Sequence, residues 1–275
     1  MLFARPAAEH PYFAQDQQRP LVMAHRGGAG LWPENTVYAF ERAVALGVDI
    51  LETEIRSTAD GVLVLLHDSS VDRTTNGTGL TSSLRLAEMK TLDAGFRWSS
   101  DDGRTFPFRE RGITVPTLEE VFTAFPNMRI NIDIKQVEPS LVEPLCKTIR
   151  IFGMTEKVMV ASFDPKVLKA FRANCPEIAT SFSVHEVMMF YLLNMVSLGG
   201  AYRPAAHALQ VPEYRERLRL LTPKLIDTAH NLNLRVHVWT INERTDMRRL
   251  LDSGVDGIIT DYPDRLLTLL GRDRR

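Results

Sequence analysis

Short apolar runs alternate with longer amphipathic stretches along this chain. The runs fall at 21–24, 48–55, 129–134, 157–161, 178–182, 208–211, 235–239 and 257–260, each of strand length. Helix signals lie between them. Asn35 or Thr36 caps a helix that ends at Gly47, Thr117 and Glu120 form a capping box, and Asp164-Pro165 and Thr222-Pro223 put proline at a first helical position. Asn242 opens a further helix that closes at Gly254. Strands alternating with helices imply parallel pairing. Eight such units fit an α/β fold of the TIM (β/α)8 barrel type.

One apolar run breaks the alternation. The stretch 62–66 begins only seven residues after Ile55, too few for a parallel crossover, and Asp60-Gly61 is a tight-turn signal. Residues 52–66 are therefore expected to form a hairpin that continues the second barrel strand and folds back. With Asp60 and Gly61 at the turn centre, Glu54 lies opposite His67; shifting the turn puts Glu52 there instead. Either register sets an imidazole beside a pair of carboxylates. Residues 69–113, rich in Ser, Thr, Asp, Gly and Arg, read as a small insertion after this hairpin rather than a second core.

A length of 275 residues alone would allow two domains; eight strand units consume it as a single barrel domain over 1–275. The formal net charge of −1, with Lys and Arg scattered, lacks the basic surplus of a nucleic-acid binder. The one dense basic run, Arg272, Arg274 and Arg275, reads as a frayed helix end. Cys146 and Cys175 cannot build a disulfide framework and read as thiols of a reducing compartment. The first twenty residues carry no apolar signal segment, and the longest apolar run, 187–195, is too short to span a bilayer. These features lead to the expectation of a cytoplasmic protein, with peripheral membrane contact left open; the oligomeric state is not legible.

Chemistry-bearing residues collect at strand C-termini, where barrel active sites are built. His25 and Arg26 end the first strand. Glu52 and Glu54, two apart, share a face at the end of the second. His67-Asp68 end the return arm, Asp133 and Lys135 share a face after the third, Ser162-Phe163 follow the fourth, Trp239 with Asn242 the seventh, and Thr260-Asp261 the eighth. Taken singly, such a glutamate is usually a solvated edge or ion-pair partner, and such a histidine a hydrogen-bonded core residue. Together they interrupt apolar strands at one end of one barrel. Converging carboxylates repel unless a cation sits between them, and oxygen ligands favour a hard divalent ion, Mg²⁺ or Ca²⁺, over zinc. Two histidines suit general acid and base, and Arg26 and Lys135 suit an anionic substrate. Phosphodiester cleavage fits this set better than acyl transfer, since no G-x-S-x-G elbow is present.

The segments AHRGGAGLWPENTVYAF (24–40), LETEIRSTADGVLVLLHDSSVDRTTNGTG (51–79), INIDIK (130–135) and VWTINE with GVDGIITDYP (238–263) resemble the glycerophosphodiester phosphodiesterase family, over residues 21 to 270. The resemblance implies the barrel, its insertion, and metal-dependent hydrolysis of a glycerophosphodiester to an alcohol and glycerol 3-phosphate. It implies that a substrate hydroxyl attacks phosphorus, giving a cyclic phosphate that water then opens. By position His25 and His67 match the acid/base pair, without assigning which is which. Glu52, Glu54 and Asp133 match the metal carboxylates. Arg26, Glu34 and Lys135 match groups around the phosphate, and Trp239 a wall of the alcohol pocket. Two positions depart: Glu52-Thr53-Glu54 stands for the family's Glu-x-Asp, and Asp133-Ile134-Lys135 for Glu-x-Lys, changes that bear on the bound ion.

The connection 183–204 is too apolar for a solvated loop. It reads either as a buried barrel helix or as an acyl-chain or membrane contact through Met188, Phe190 and Leu192. This region resembles the lysophospholipase D-like branch of the family. Two alternatives therefore stay open: a lysophospholipase D that releases the head-group alcohol from lysophospholipids, and a non-catalytic phospholipid-binding barrel.

Overall fold

The computed structural model describes residues 5–14 and 19–272. Arg274 and Arg275 lie outside them. Eight parallel strands form the barrel: β1 (Leu21–Ala24), β2 (Ile50–Ser57), β4 (Arg129–Ile134), β5 (Val158–Ala161), β6 (Ala179–Thr180), β7 (Ala208–Val211), β10 (Arg235–Val238) and β11 (Gly257–Thr260). Their order is β6-β5-β4-β2-β1-β11-β10-β7, and a parallel bridge between Ser181 and Ala208 joins the two ends. All eight expected runs are strands, so the TIM-barrel expectation holds. β3 (Leu63–Leu65) returns antiparallel along the upper part of β2, and a two-residue ladder pairs β8 (Tyr214–Arg215) with β9 (Leu218–Arg219) just after β7.

The helices clothe the outside. They are α1 (Val37–Leu46), a short α2 (Leu86–Met89), α3 (Leu118–Ala124), α4 (Val142–Ile151), α5 (Pro165–Asn174), α6 (Val184–Met195), α7 (Pro223–Asn231), α8 (Arg244–Asp252) and α9 (Pro263–Leu269). Alternate strand residues serve two cores. Val22 and Ala24 face the helices, while Leu21 and Met23 point inward with Ile50, Met159, Ala179, Ala208 and Ile259. The inner cluster also takes Tyr12 and Phe13 from the turn Pro11–Phe13, and the Tyr12 carbonyl accepts a bond from Arg129 at the start of β4 (3.0 Å). The turn Pro11–Phe13 thus plugs the end of the barrel opposite the strand C-termini.

Local signals explain most helix ends. Thr36 caps α1 through the Ala39 N–H, and Gly47 closes it in the left-handed region (φ 92°). Thr117 and Glu120 form their capping box, and prolines 165 and 223 occupy first positions. Four expectations need correction. The hairpin turn holds three residues, 59–61, because Thr58 bonds across to Val62 (3.0 Å) and Gly61 takes φ 78°. The register then pairs Ile55 with Leu65, and the Leu66 N–H donates to the Glu54 carbonyl, so neither glutamate stands opposite His67. Asn242 does not cap α8; that position is Glu243, and Asn242 turns to the eighth strand. Arg272 is no frayed end, since it clamps Asp49 through both terminal nitrogens (2.8 Å each). Finally, Cys146 on α4 and Cys175 after α5 are buried side by side, 6.1 Å apart at Cα, and joined as a disulfide rather than free.

The connection 183–204 divides along its length. Ser183 and Glu186 form a capping box for α6, and Arg172 grips Glu186 with two bonds (2.7 and 3.1 Å). Phe190 is fully buried against Phe182 and Tyr202, at ring distances of 5.9 and 5.4 Å, which removes it from any lipid-contact set. Leu192 is 54% exposed on the outer face, and Met188 lines the cavity at the barrel mouth. The insertion 69–113 packs Val71, Met89, Ala94 and Ile113 onto Val64 and Leu66 of the return arm. Among the described residues no helix is long and apolar enough to cross a membrane.

Candidate active site

A cavity of about 400 Å³ opens at the C-terminal ends of the strands. Its polar side is set by register. Parallel pairing places Glu52 beside Asn131 and Glu54 beside Asp133, all four facing the barrel axis and buried. His25 comes from the tight turn after β1, where Arg26 holds φ 52° and Gly27 and Gly28 hold φ 84° and 97°. A Cβ on Gly27 would lie 2.6 Å from the Phe40 ring, so that turn demands glycine. The turn aims the Arg26 N–H at Glu52 Oε2 (2.9 Å) and the Arg26 side chain at Glu54 Oε1 (3.0 Å) and Glu34 Oε1 (3.0 Å).

Each candidate histidine is backed by an aspartate. His25 Nδ1 lies 2.6 Å from Asp261 Oδ1, and His67 Nδ1 lies 2.5 Å from Asp68 Oδ1. An ionised carboxylate only accepts, so Nδ1 carries the proton in both rings and Nε2 is the atom left to exchange one. His25 Nε2 sits 4.0 Å from Glu52 Oε2 and from Glu54 Oε1. Burial lowers the basicity of His25, but the Asp261 bond and the Glu52 charge outweigh it and raise its pKa. Asp261 and Asp68 are both held low: burial pushes against this, and the histidine bonds prevail, joined at Asp68 by Arg73. Asn242 completes the support, donating to Asp261 Oδ2 (2.7 Å) and accepting the Asp261 N–H (2.9 Å).

A chain of alternating charges links the two sides. Arg73 bonds Asp68 (2.6 Å) and forks onto both oxygens of Glu34 (2.7 Å each), and Glu34 passes the link to Arg26 and so to Glu54. Burial would raise the Glu34 pKa, yet the Arg73 bonds with Arg26 hold it low. Asn35 locks the other oxygen of Glu54 (2.8 Å) while accepting from Thr53 (2.8 Å). Lys135 Nζ binds Asp133 Oδ2 (2.7 Å) and stands 3.8 Å from Glu54. Burial lowers the Lys135 pKa, but the Asp133 and Glu54 charges win and raise it.

The acids at the centre are under-compensated. Burial, then the Glu54 charge, pushes Glu52 up to about 7. Burial also raises Asp133, whose Oδ1 is buried without a hydrogen-bond partner. Donor atoms of His25, Glu52 and Glu54 lie within 4.8 Å of one another, a set able to hold a metal ion. Oxygen-rich donors, mutual repulsion and an orphaned carboxylate oxygen together fit a hard divalent cation.

The opposite side of the cavity is apolar. Trp239 meets Phe163 edge to face at 5.7 Å, and Lys135 Nζ lies 5.0 Å from the Phe163 ring. Phe182, Val187, Met188, Val211 and Leu220 continue this wall, with Gln210 and Arg215 as its polar members. The structure therefore brings His25, His67, Glu52, Glu54, Asp133, Arg26, Lys135, Trp239 and Met188 to one cavity, with Glu34 just behind it; Leu192 lies outside. The sequence placed Asp68 and Asp261 at strand ends without giving them the role of histidine partners, offered Asn35 only as an alternative cap for α1, a position that Thr36 fills, and gave no role to Asn131 or Arg73. Nothing in the local sequence pairs His25 with a residue 236 positions away; His67-Asp68 adjacency was the available signal.

Two aspartate-backed imidazoles facing buried acids and an arginine–lysine pair define a hydrolase for an anionic substrate. Comparison with known proteins makes the class specific. Residues 25–265 match the glycerophosphoryl diester phosphodiesterase family. The chain is 35% identical over 258 residues to a glycerophosphodiester phosphodiesterase of Caldanaerobacter subterraneus, covering 92% of this chain and 98% of that one. A mouse lysophospholipase D is 27% identical, covering 90% and 85%. Among solved structures, an Oleispira antarctica phosphodiesterase in complex with the product sn-glycerol-3-phosphate superposes with a TM-score of 0.72 at 25% identity, covering 92% and 97%. The chain belongs to the glycerophosphoryl diester phosphodiesterase family, and is an enzyme of the phosphoric diester hydrolase class. That membership removes the non-catalytic alternative.

Proposed function

We propose that this protein hydrolyses glycerophosphodiesters to an alcohol and glycerol 3-phosphate, using His25 and His67 as acid and base across one phosphoryl site. The observation that carries this is the pair of His–Asp contacts, His25–Asp261 and His67–Asp68, at one cavity with Glu52, Glu54 and Asp133. Glu52, Glu54 and Asp133, with His25 adjoining, would hold a divalent ion, Mg²⁺ or Ca²⁺, which when bound polarises a phosphoryl oxygen and stabilises developing charge. Arg26 and Lys135 bind and orient the anionic diester. One imidazole Nε2 accepts the proton of the substrate hydroxyl that attacks phosphorus. The other, protonated, gives its proton to the alcohol oxygen as the P–O bond breaks, and water then opens the cyclic phosphate with the roles reversed. Trp239 and Phe163 shelter the alcohol side from water. The barrel and its insertion act as one unit in this reading.

The apolar wall favours a second reading, in which a lysophospholipid enters with its acyl chain along Val187, Met188 and Leu220. Turnover of glycerophosphocholine against lysophosphatidylcholine separates the two. The first reading expects equal or better activity on the soluble diester. His25→Ala and His67→Ala should each lower turnover about a hundredfold or more with little change in KM. Near-full turnover by either variant would overturn the acid/base assignment.

A further inference from the structure

We infer that the hairpin 214–219, together with Phe163, forms a docking rim for an anionic lipid surface at the cavity mouth. The hairpin pairs Arg215 with Leu218 and Tyr214 with Arg219, directly after the strand end that carries Val211. Its apolar side chains are turned outward: Tyr214 is 52% exposed and Leu218 39%, and across the mouth Phe163 is 52% exposed. Phe163 and Arg215 also line the cavity, so the exposed rim is continuous with the apolar wall inside.

The charges select the occupant. Arg215 and Arg217 are exposed, and neither side chain makes a hydrogen bond or ion pair among the described residues. Arg219 reaches Glu213 at 3.5 Å, while Glu213 is already forked by Arg249 (2.6 and 2.7 Å), which leaves Glu216 as the one acid within 214–219. Exposed aromatic and aliphatic side chains interleaved with unpaired arginines suit an interface of acyl chains beneath anionic headgroups. The exposed apolar face of α6 is the weaker candidate. That helix starts at the mouth and runs back along the barrel at about 1.5 Å per residue, which carries Leu192 and Met195 progressively away from the cavity. Docking by the rim would instead set the cavity mouth against the lipid surface.

Vesicle co-sedimentation tests this apart from the reaction, because binding is read without turnover. The full chain should sediment with phosphatidylcholine–phosphatidylglycerol vesicles, weakly or not at all with phosphatidylcholine alone, and less as salt rises. Arg217→Glu and the double variant Tyr214→Ser, Leu218→Ser should each weaken partitioning about tenfold or more. Their turnover of soluble glycerophosphocholine, the check that they fold, should stay within about twofold, since none of these residues lines the cavity. Failure of the unsubstituted protein to bind the anionic vesicles would overturn the inference, as would variants that bind equally well. So would a homodimer that Leu218→Ser dissociates, since a second copy would then cover the face. Loss of all diester turnover by the unsubstituted protein, with vesicle binding intact, would instead count against the proposed activity alone.

Discussion

His25 Nδ1 and Asp261 Oδ1 stand 2.6 Å apart at the ends of the first and last barrel strands, which are themselves hydrogen-bonded neighbours. Closure of the barrel is what creates this contact. It fixes the imidazole tautomer and turns Nε2 toward Glu52 and Glu54. His67 and Asp68 make the same contact on the facing side with adjacent residues.

Asp261→Asn should therefore lower kcat about a hundredfold while KM changes by less than about threefold, because the amide leaves binding groups in place but no longer fixes the proton on Nδ1. Asp68→Asn should act in the same direction. Steady-state kinetics on glycerophosphocholine read this; a change confined to KM would show that the aspartates act on binding instead.

Asn35 is buried, holds φ 55°, and bridges Glu54 to Thr53. Asn35→Ala strands a buried carboxylate oxygen and replaces asparagine, which tolerates the left-handed region, with alanine, which adopts it less readily. A loss of about 2–3 kcal/mol in urea unfolding is expected. A loss below about 0.5 kcal/mol would show that the bridge contributes little.

Acid should weaken the fold through two histidines away from the reaction. Burial pulls His237, inside the barrel, and His207, beside His10 and Arg172, down to about 4 from an ordinary value of 6.5. Between those values the unfolded chain binds protons that the folded chain does not. This stability is present in full above about pH 6.5 and is lost as pH falls toward 4. His237 alone accounts for about 3 kcal/mol at neutral pH. Urea unfolding at pH 7.5 and pH 5 should show the fall, and His237→Gln should shrink the difference between the two. An equal difference in both proteins would contradict it.

The barrel was legible in the sequence because the strands are short, predominantly apolar runs separated by capped helical stretches, and such patterns do not depend on distant contacts. The hairpin's existence was equally local, but its register was not: the bond between Thr58 and Val62 adds Ala59 to the turn and slides the return arm by one position. Glu52, Glu54, Asp133 and the histidines stood out as polar interruptions of apolar strands. Their supporting groups did not. Asp261, Asn242 and Arg73 look like ordinary loop residues until closure of the barrel and folding of the insertion bring them to the site. The disulfide was illegible for the same reason, since Cys146 and Cys175 meet only when α4 packs on α5. The apolar stretch after Ser183 mixed two signals, a buried face at Phe190 and an exposed one at Leu192, that composition alone does not separate.

In the proposed reaction, diester hydrolysis needs a divalent cation held by Glu52, Glu54 and Asp133 and flanked by His25 and His67. Release of choline and glycerol 3-phosphate from glycerophosphocholine, measured after chelation and again after adding back Mg²⁺ or Ca²⁺, tests it most directly. Chelation should abolish release, and one of these ions should restore it. Undiminished turnover in the chelated protein would contradict that requirement.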